Sequence, residues 1–431
     1  MTATKEAKYD KFTITSADGK RTADFNNGDF KIITFDYFEN ILSPHITASA
    51  TLTSTNDSVP SEEDRQDRLS SLYSGLPLRA GCIVNVKVKP ELGDAIDLEL
   101  YVVGVEQAAE STSEIIHIKL ASKIAIVNET TKIERSYNLS ISDIAKKIIK
   151  DYLKIPGNKT IIDKTSNPTT YVVGMRKRPF DLLLMLAQQS VPKKTSNPGY
   201  FCYETRNGFH FVSADTLINQ EPYPHQYHYN GANKSTAEMG DESNNYKVSD
   251  LKVKKDQNFL EQIRFGMYST KNIFFNPATL GFTEITISAD VDGKFPSLGK
   301  KKDTAKIIKD EYALGKRYHR IQTAILDAGS SGENVSINNS PEMYYAAATA
   351  RYNILFAQET VITVPCNTLL DAGGVIDLQI ESISDNKEQG VDPVRSGKYI
   401  ISSIRHHFSS EKSLTSMKLI RAGYGLHFTT E

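Results

Sequence analysis

One short stretch of this chain is written twice. Leu78-Arg-Ala-Gly-Cys-Ile-Val-Asn-Val-Lys-Val88 aligns without a gap on Leu370-Asp-Ala-Gly-Gly-Val-Ile-Asp-Leu-Gln-Ile380, with Leu78, Ala80 and Gly81 recurring as Leu370, Ala372 and Gly373. Beyond the identities the faces agree. Val84, Val86 and Val88 match Ile376, Leu378 and Ile380, while Asn85 and Lys87 match Asp377 and Gln379. Because strand side chains alternate, the first set faces a core and the second faces water. The glycine ahead of each strand fits a turn at positive φ, so Gly81→Val and Gly373→Val are expected to be comparably destabilising. Further on, Tyr101-Val-Val matches Tyr399-Ile-Ile, and Ile118-Lys-Leu-Ala matches Met417-Lys-Leu-Ile. Any two antiparallel meanders share some strand–turn–strand grammar. Three strands recurring in order at nearly equal spacing is what points to two related antiparallel β-barrels in one polypeptide.

Period-two runs rich in β-branched and aromatic residues fill the N-terminal part: Phe30-Lys-Ile-Ile-Thr-Phe, residues 45–53, 83–88, 98–105 and 115–120. A polar excursion over 54–71 reads as a surface loop. Composition then changes. Ser140 is an N-cap for a helix carrying Ile141, Ile144, Ala145, Ile148, Ile149 and Tyr152, stopped by Ile155-Pro-Gly. Pro179 opens a second helix over 180–190. Two alternating runs around Asn207-Gly208 predict a hairpin with a type I′ turn. After a polar linker at 230–245, strands return at 248–253, 260–268 and 282–287. Helices are expected over 303–314 and over 341–357 behind Ser340, the latter with Met343, Ala347, Ile354 and Leu355 on one stripe. Strands resume at 360–364 and continue almost to the end, broken at 384–397. The expected division is a first barrel at 1–130, an α/β insertion at 131–240, the start of a second barrel at 241–290, a helical insertion at 291–358 and the rest of the second barrel at 359–431. The fold class is thus mainly β with α+β insertions.

Charge and motifs narrow the function. With 51 basic against 52 acidic residues the chain has no cationic surplus with which to grip nucleic acid through its phosphates. Cys82, Cys202 and Cys366 stand in no metal or redox spacing, which suits a reducing compartment. The first ten residues are polar, and the longest apolar run, 182–187, is far short of the ~20 residues that span a bilayer. A soluble protein without a signal peptide or membrane insertion is expected. Gly293-Lys-Phe-Pro-Ser-Leu-Gly-Lys-Lys301 resembles a phosphate loop but lacks its glycine spacing and its Ser or Thr. His225 and His228 lack the further ligands zinc needs and are read as aromatic loop packing, while His406 and His407 point to opposite strand faces. No nucleophile elbow or metalloprotease motif occurs, so no catalytic, metal or cofactor residues are assigned and no cofactor is expected. Paired carboxylates converging from separate loops stay open, and with them a β-sandwich carbohydrate-active enzyme as a rival reading.

Four segments then resemble a known family in order and spacing: Asp36-Tyr-Phe-Glu-Asn-Ile-Leu-Ser-Pro-His-Ile46, Gly75-Leu-Pro-Leu-Arg-Ala-Gly81, Gly199-Tyr-Phe-Cys-Tyr-Glu-Thr with Gly208-Phe-His-Phe, and Ser396-Gly-Lys-Tyr-Ile-Ile-Ser-Ser-Ile-Arg-His406. The chain resembles the baseplate hub proteins of T-even-type contractile-tailed bacteriophages. Segments 54–71 and 301–340 depart from that pattern. The resemblance implies a cup-shaped homotrimer forming a pseudo-sixfold torus, joining the tail tube or its initiator proteins to the central spike. DNA and tape-measure protein would pass its channel without specific binding. It also implies a structural, non-enzymatic virion component of the baseplate, assembled in the bacterial host cytoplasm. The hub of a non-phage contractile injection system is the alternative within the same fold.

Overall fold

A computed structural model describes residues 6, 8–26, 30–55, 59–60, 69–70, 72–90, 92–110, 113–167, 170–195, 197–229, 245–255, 259–264, 269–277, 280–288, 320–325, 341–381 and 391–421. The chain is mainly β. The first part contains β1 (Lys8–Thr15), β2 (Thr22–Asp24), β3 (Phe30–Asn40), β4 (Thr47–Thr55), the short pair β5 (Val59–Pro60) and β6 (Leu69–Ser70), helix α1 (Leu72–Gly75), β7 (Ile83–Lys89), β8 (Ile96–Glu110) and β9 (Ser113–Ser122). Next come α2 (Lys123–Thr130), β10 (Ser136–Leu139), α3 (Ile141–Asp151), β11 (Thr160–Ile162), β12 (Thr170–Val173), α4 (Pro179–Gln189), the hairpin β13 (Tyr200–Thr205) and β14 (Gly208–Ser213), and α5 (Ala214–Ile218). The last part holds β15 (Tyr227–Tyr229), β16 (Asp250–Lys255), α6 (Phe259–Arg264), β17 (Ser269–Asn276), β18 (Gly281–Ser288), β19 (Arg320–Ile325), α7 (Pro341–Leu355), β20 (Gln358–Pro365), β21 (Val375–Ile380), β22 (Gly397–Ser409) and β23 (Ser413–Arg421).

Six strands of the first part neighbour one another in the order β3-β4-β9-β8-β7-β1, and six of the last part in the order β16-β20-β23-β22-β21-β15. Numbered along the chain, both orders are second, third, sixth, fifth, fourth, first. The detail matches too. Gly81 N–H donates to Val102 O and Gly373 N–H to Ile401 O, each at 2.8 Å, and both glycines have positive φ, 95° and 87°. Val102 lies opposite Leu120 with a bulge before Gly104, and Ile401 lies opposite Leu419 with a bulge before Ser403. This register pairs Tyr101 with Ile400 rather than with Tyr399, a one-residue correction to the sequence alignment that makes the spacing to Leu120 and Leu419 equal. The units differ at one strand: β1 runs antiparallel to β7, whereas β15 runs parallel to β21.

Two antiparallel barrels were expected; thirteen of the described strands instead form one continuous sheet, and in the second unit a parallel bridge between His228 of β15 and Lys247, just before β16, links the two end strands. The sheet is continuous because of β3, whose outer edge runs antiparallel along residues 403–409 of β22 and so welds the first unit to the second. The cores interlock at this weld. Phe408 of β22 packs into the first unit's core, stacked 6.2 Å from Phe35, while Ile41 at the end of β3 packs into the second unit's core. Full burial of a phenylalanine contributes about 1.5–3 kcal/mol, so the units are held by more than strand pairing.

Between the units, α3 and α4 cover the β13–β14 hairpin around their own core. The expected caps form: Ser140 Oγ accepts from Asp143 N–H, and Pro179 begins α4. The hairpin is present, but its turn is Arg206-Asn207 and only Gly208 has positive φ, so it is not type I′. Tertiary contacts override the local preference there. Asn207 N–H donates to Thr205 Oγ1 and its side chain is held by Asp371, while a Cβ on Gly208 would lie 2.5 Å from Lys159 O.

Three further expectations are corrected. Residues 259–264 form helix α6 rather than a strand; Leu260 and Ile263, three apart, share one face of a helix but would lie on opposite faces of a strand. Residues 320–325, placed in a helical insertion, are strand β19, paired parallel to β17. On α7 Leu355 of the expected stripe is buried and Ile354 packs partly buried against the second unit's core, but the other buried side chains are Tyr344, Ala348, Ala350 and Arg351 and Ala347 is only half-buried; the side chain of Met343 is outside the described residues. The linker at 230–244, the 303–314 helix, Ser340 and the 293–301 loop also lie outside them. No described helix is long and apolar enough to cross a membrane.

Candidate assembly surface

The repeat residues sit in the two cores. Leu78, Val84, Val86 and Val88 belong to the first, and Leu370, Ala372, Ile376, Leu378 and Ile380 to the second. Ala80 is exposed where Ala372 is buried, because the β13–β14 hairpin and α5 lie over the second unit's turn. Each set is therefore brought together within its own unit, and the sets do not meet.

A buried polar cluster, which sequence reasoning missed, sits where the units and the insertion meet. Glu39 is 2% exposed. Its Oε1 accepts from Tyr37 Oη at 2.5 Å and from Arg206 N–H at 2.9 Å, and its Oε2 accepts from Ala372 N–H at 2.8 Å. Asp371 in turn accepts from Arg206 Nε at 3.0 Å. Burial, reinforced by the nearby Asp371 carboxylate, holds Glu39 well above the usual carboxylate range. Glu204 repeats the device: its Oε2 accepts from Ile46 N–H at 2.9 Å and Ser122 Oγ at 2.6 Å, and burial raises it as well. Both oxygens of Glu39 are occupied by donors from three parts of the chain, and the cluster works as a clamp. The signal for it in the sequence is alternation, since Glu39 takes the inward position after Phe35 and Tyr37.

His406 is buried and stacks on Tyr37 across the weld, ring centroids 6.0 Å apart, and burial pushes its pKa down to about 3. His407, on the other face, meets Asp36 at 2.7 Å. His225 stacks on Tyr246 at 4.4 Å. Among the described residues no group of three or more His, Cys, Asp or Glu side chains is placed to hold a metal ion.

Two depressions open on the sheet surface and share Phe38, His45 and Thr47. One, of about 630 Å³, is lined by Phe38 of β3, Ser49 of β4 and Lys119 of β9. The other, of about 570 Å³, lies across the weld, lined by Phe38, Asn40 and His45 of the first unit and by Lys254, Val361 and Lys418 of the second.

No family model matches the chain, and no curated protein matches it in sequence. Solved structures do match it in shape. The tail protein from Neisseria meningitidis MC58 superposes with a TM-score of 0.55 at 9% identity, over 95% of this chain and 96% of that one. The chain has a tail-protein fold. The 43 kDa tail protein of prophage MuSo2 from Shewanella oneidensis agrees, with a TM-score of 0.54 at 12% identity over 96% of this chain and 99% of that one. Such coverage means that the tail-protein fold takes in both β units and the insertion, end to end.

Proposed function

We propose that this chain is the structural hub of a contractile phage-tail baseplate. Three copies form an adaptor between a sixfold tail tube and a threefold central spike, with a channel that lets DNA and tape-measure protein through. The observation that carries this reading is the repeated strand order within a chain of tail-protein fold. Two like units per chain let a trimer present six similar surfaces at one rim while keeping threefold symmetry at the other. The near balance of 51 basic and 52 acidic residues suits a conduit that must not retain a polyanion. The role is one of shape and docking, without a reaction of its own, and its place is the virion baseplate. Native mass spectrometry of the full-length chain, alone and co-expressed with its spike, tests the proposal. Three chain masses in either sample are expected; one or two chain masses in both would refute it.

A further inference from the structure

The weld between the units is a joint that the chain makes once and has the parts to make twice. In it, β3 pairs with residues 403–409 of β22, with Asp36 opposite His407, Tyr37 opposite His406 and Phe38 opposite Arg405. Moving every strand to its counterpart in the other unit puts β16 in place of β3, and residues 104–110 of β8 in place of 403–409. Both replacements have a bare edge. Among the described residues β16 pairs only with β20, and residues 104–110 of β8 pair only with β9. Burial shows the same asymmetry. Tyr37 is 0% and His406 1% exposed inside the weld, whereas their counterparts Val253, at 41%, and Gln107 are exposed. An unpaired strand edge is a template for another strand, and here the complementary template lies at the far end of the same chain.

We propose that β16 of one subunit adds antiparallel onto residues 104–110 of β8 in the next subunit, so that the partner of both edges is a second copy of this chain. This deepens the trimeric reading above and rests on it. The register carried over from the weld sets Lys252 opposite Ala108 and Val253 opposite Gln107, with Lys254, the extra residue of a bulge in β16, beside Glu106. A head-to-tail joint of this kind repeats the step that the chain already takes from its first unit to its second, which is the condition for a ring of like units.

Charge separates the two joints. In the weld the acid is on the β3 side: Asp36 accepts from Arg405 Nε at 2.9 Å and meets His407 Nδ1 at 2.7 Å. In the joint between subunits the signs are exchanged, with Lys252 and Lys254 on β16 and Glu106 on β8. Residues 403–409 are held by β3 on one edge and β23 on the other, so the open edge at 104–110 is the one left for β16. Glu106 already meets Lys119, and Lys252 meets Asp250, but both are exposed pairs of small worth that leave room for a second partner.

The test is made in the full-length chain. Ala108→Cys combined with Lys252→Cys should give, on mild oxidation, disulfide-linked species of two and three chain masses, which neither single variant gives. Opposite positions of an antiparallel pair lie close to disulfide reach, and Cys82, Cys202 and Cys366 are buried and do not compete. Glu106→Lys alone, or Lys252→Glu with Lys254→Glu, should raise the concentration for half-dissociation about tenfold, and the three changes together should restore it. A trimer by mass in which the paired cysteines do not link overturns the strand pairing and leaves the trimer standing. Charge variants that weaken assembly singly without mutual rescue overturn the assigned register. A chain that stays monomeric in every sample, spike included, overturns both this proposal and the trimeric reading.

Discussion

Replacing Arg351 by methionine is expected to destabilise the folded chain by about 3–5 kcal/mol, because it removes one half of a buried ion pair and leaves the other charged. Arg351, on α7, bonds through Nη2 to Asp215 at the start of α5, and both side chains are 2% exposed. Asp215 also accepts from Asn197 Nδ2 at 3.1 Å, a neutral amide that cannot replace the guanidinium. The pair ties the helix that leads into β20 to the insertion lying over the second unit. Adding Asp215→Leu to Arg351→Met should recover much of the loss, since burying two apolar side chains avoids the stranded carboxylate. Urea titration of the two single variants and the double checks this: an additive double variant would mean that the pair is not the source of the effect.

The second large effect separates two glycines that the sequence treats alike. Gly81→Ala should cost about 1 kcal/mol, the strain of a Cβ at positive φ, because the nearest atom to that Cβ is Ala17 Cβ at an ordinary 3.7 Å. Gly373→Ala should cost roughly 2–4 kcal/mol, the same strain plus overpacking. Its Cβ would run into the Tyr203 hydroxyl, with Leu217 Cδ2 at 3.4 Å. The two valine substitutions expected to be comparable are therefore unequal, in the order Gly373 worse than Gly81. Thermal or urea unfolding of the paired alanine variants decides the matter, and equal losses would mean that the hairpin does not press on the second unit's turn.

That inequality shows where sequence reasoning reached its limit. Alternation at Val84, Val86 and Val88, and again at Ile376, Leu378 and Ile380, is a local property of a half-buried strand and could be read directly, as could the Ser140 cap and the Pro179 start. The contents of the space above a turn are not local. Nothing near Gly373 in the sequence announces Tyr203, and nothing near Asn207 announces Asp371, which is why a hairpin could be foreseen and its turn type could not. The weld was hidden for a related reason. Pairing of β3 with β22 joins Asp36 to His407 across nearly the whole chain, and it rests largely on backbone groups, which carry no residue code. Glu39 left a trace, an acid at an inward strand position, but its partners Arg206 and Ala372 come from two other parts of the chain and only folding brings them together.

The account depends on two units in one chain being alike enough for three chains to stand in for six. End-on electron-microscopy averages of the purified full-length protein bear on this most directly. They should show a ring of six lobes around an open centre, with threefold rather than sixfold symmetry once aligned. Rings of three lobes, or trimers without a central opening, would contradict it.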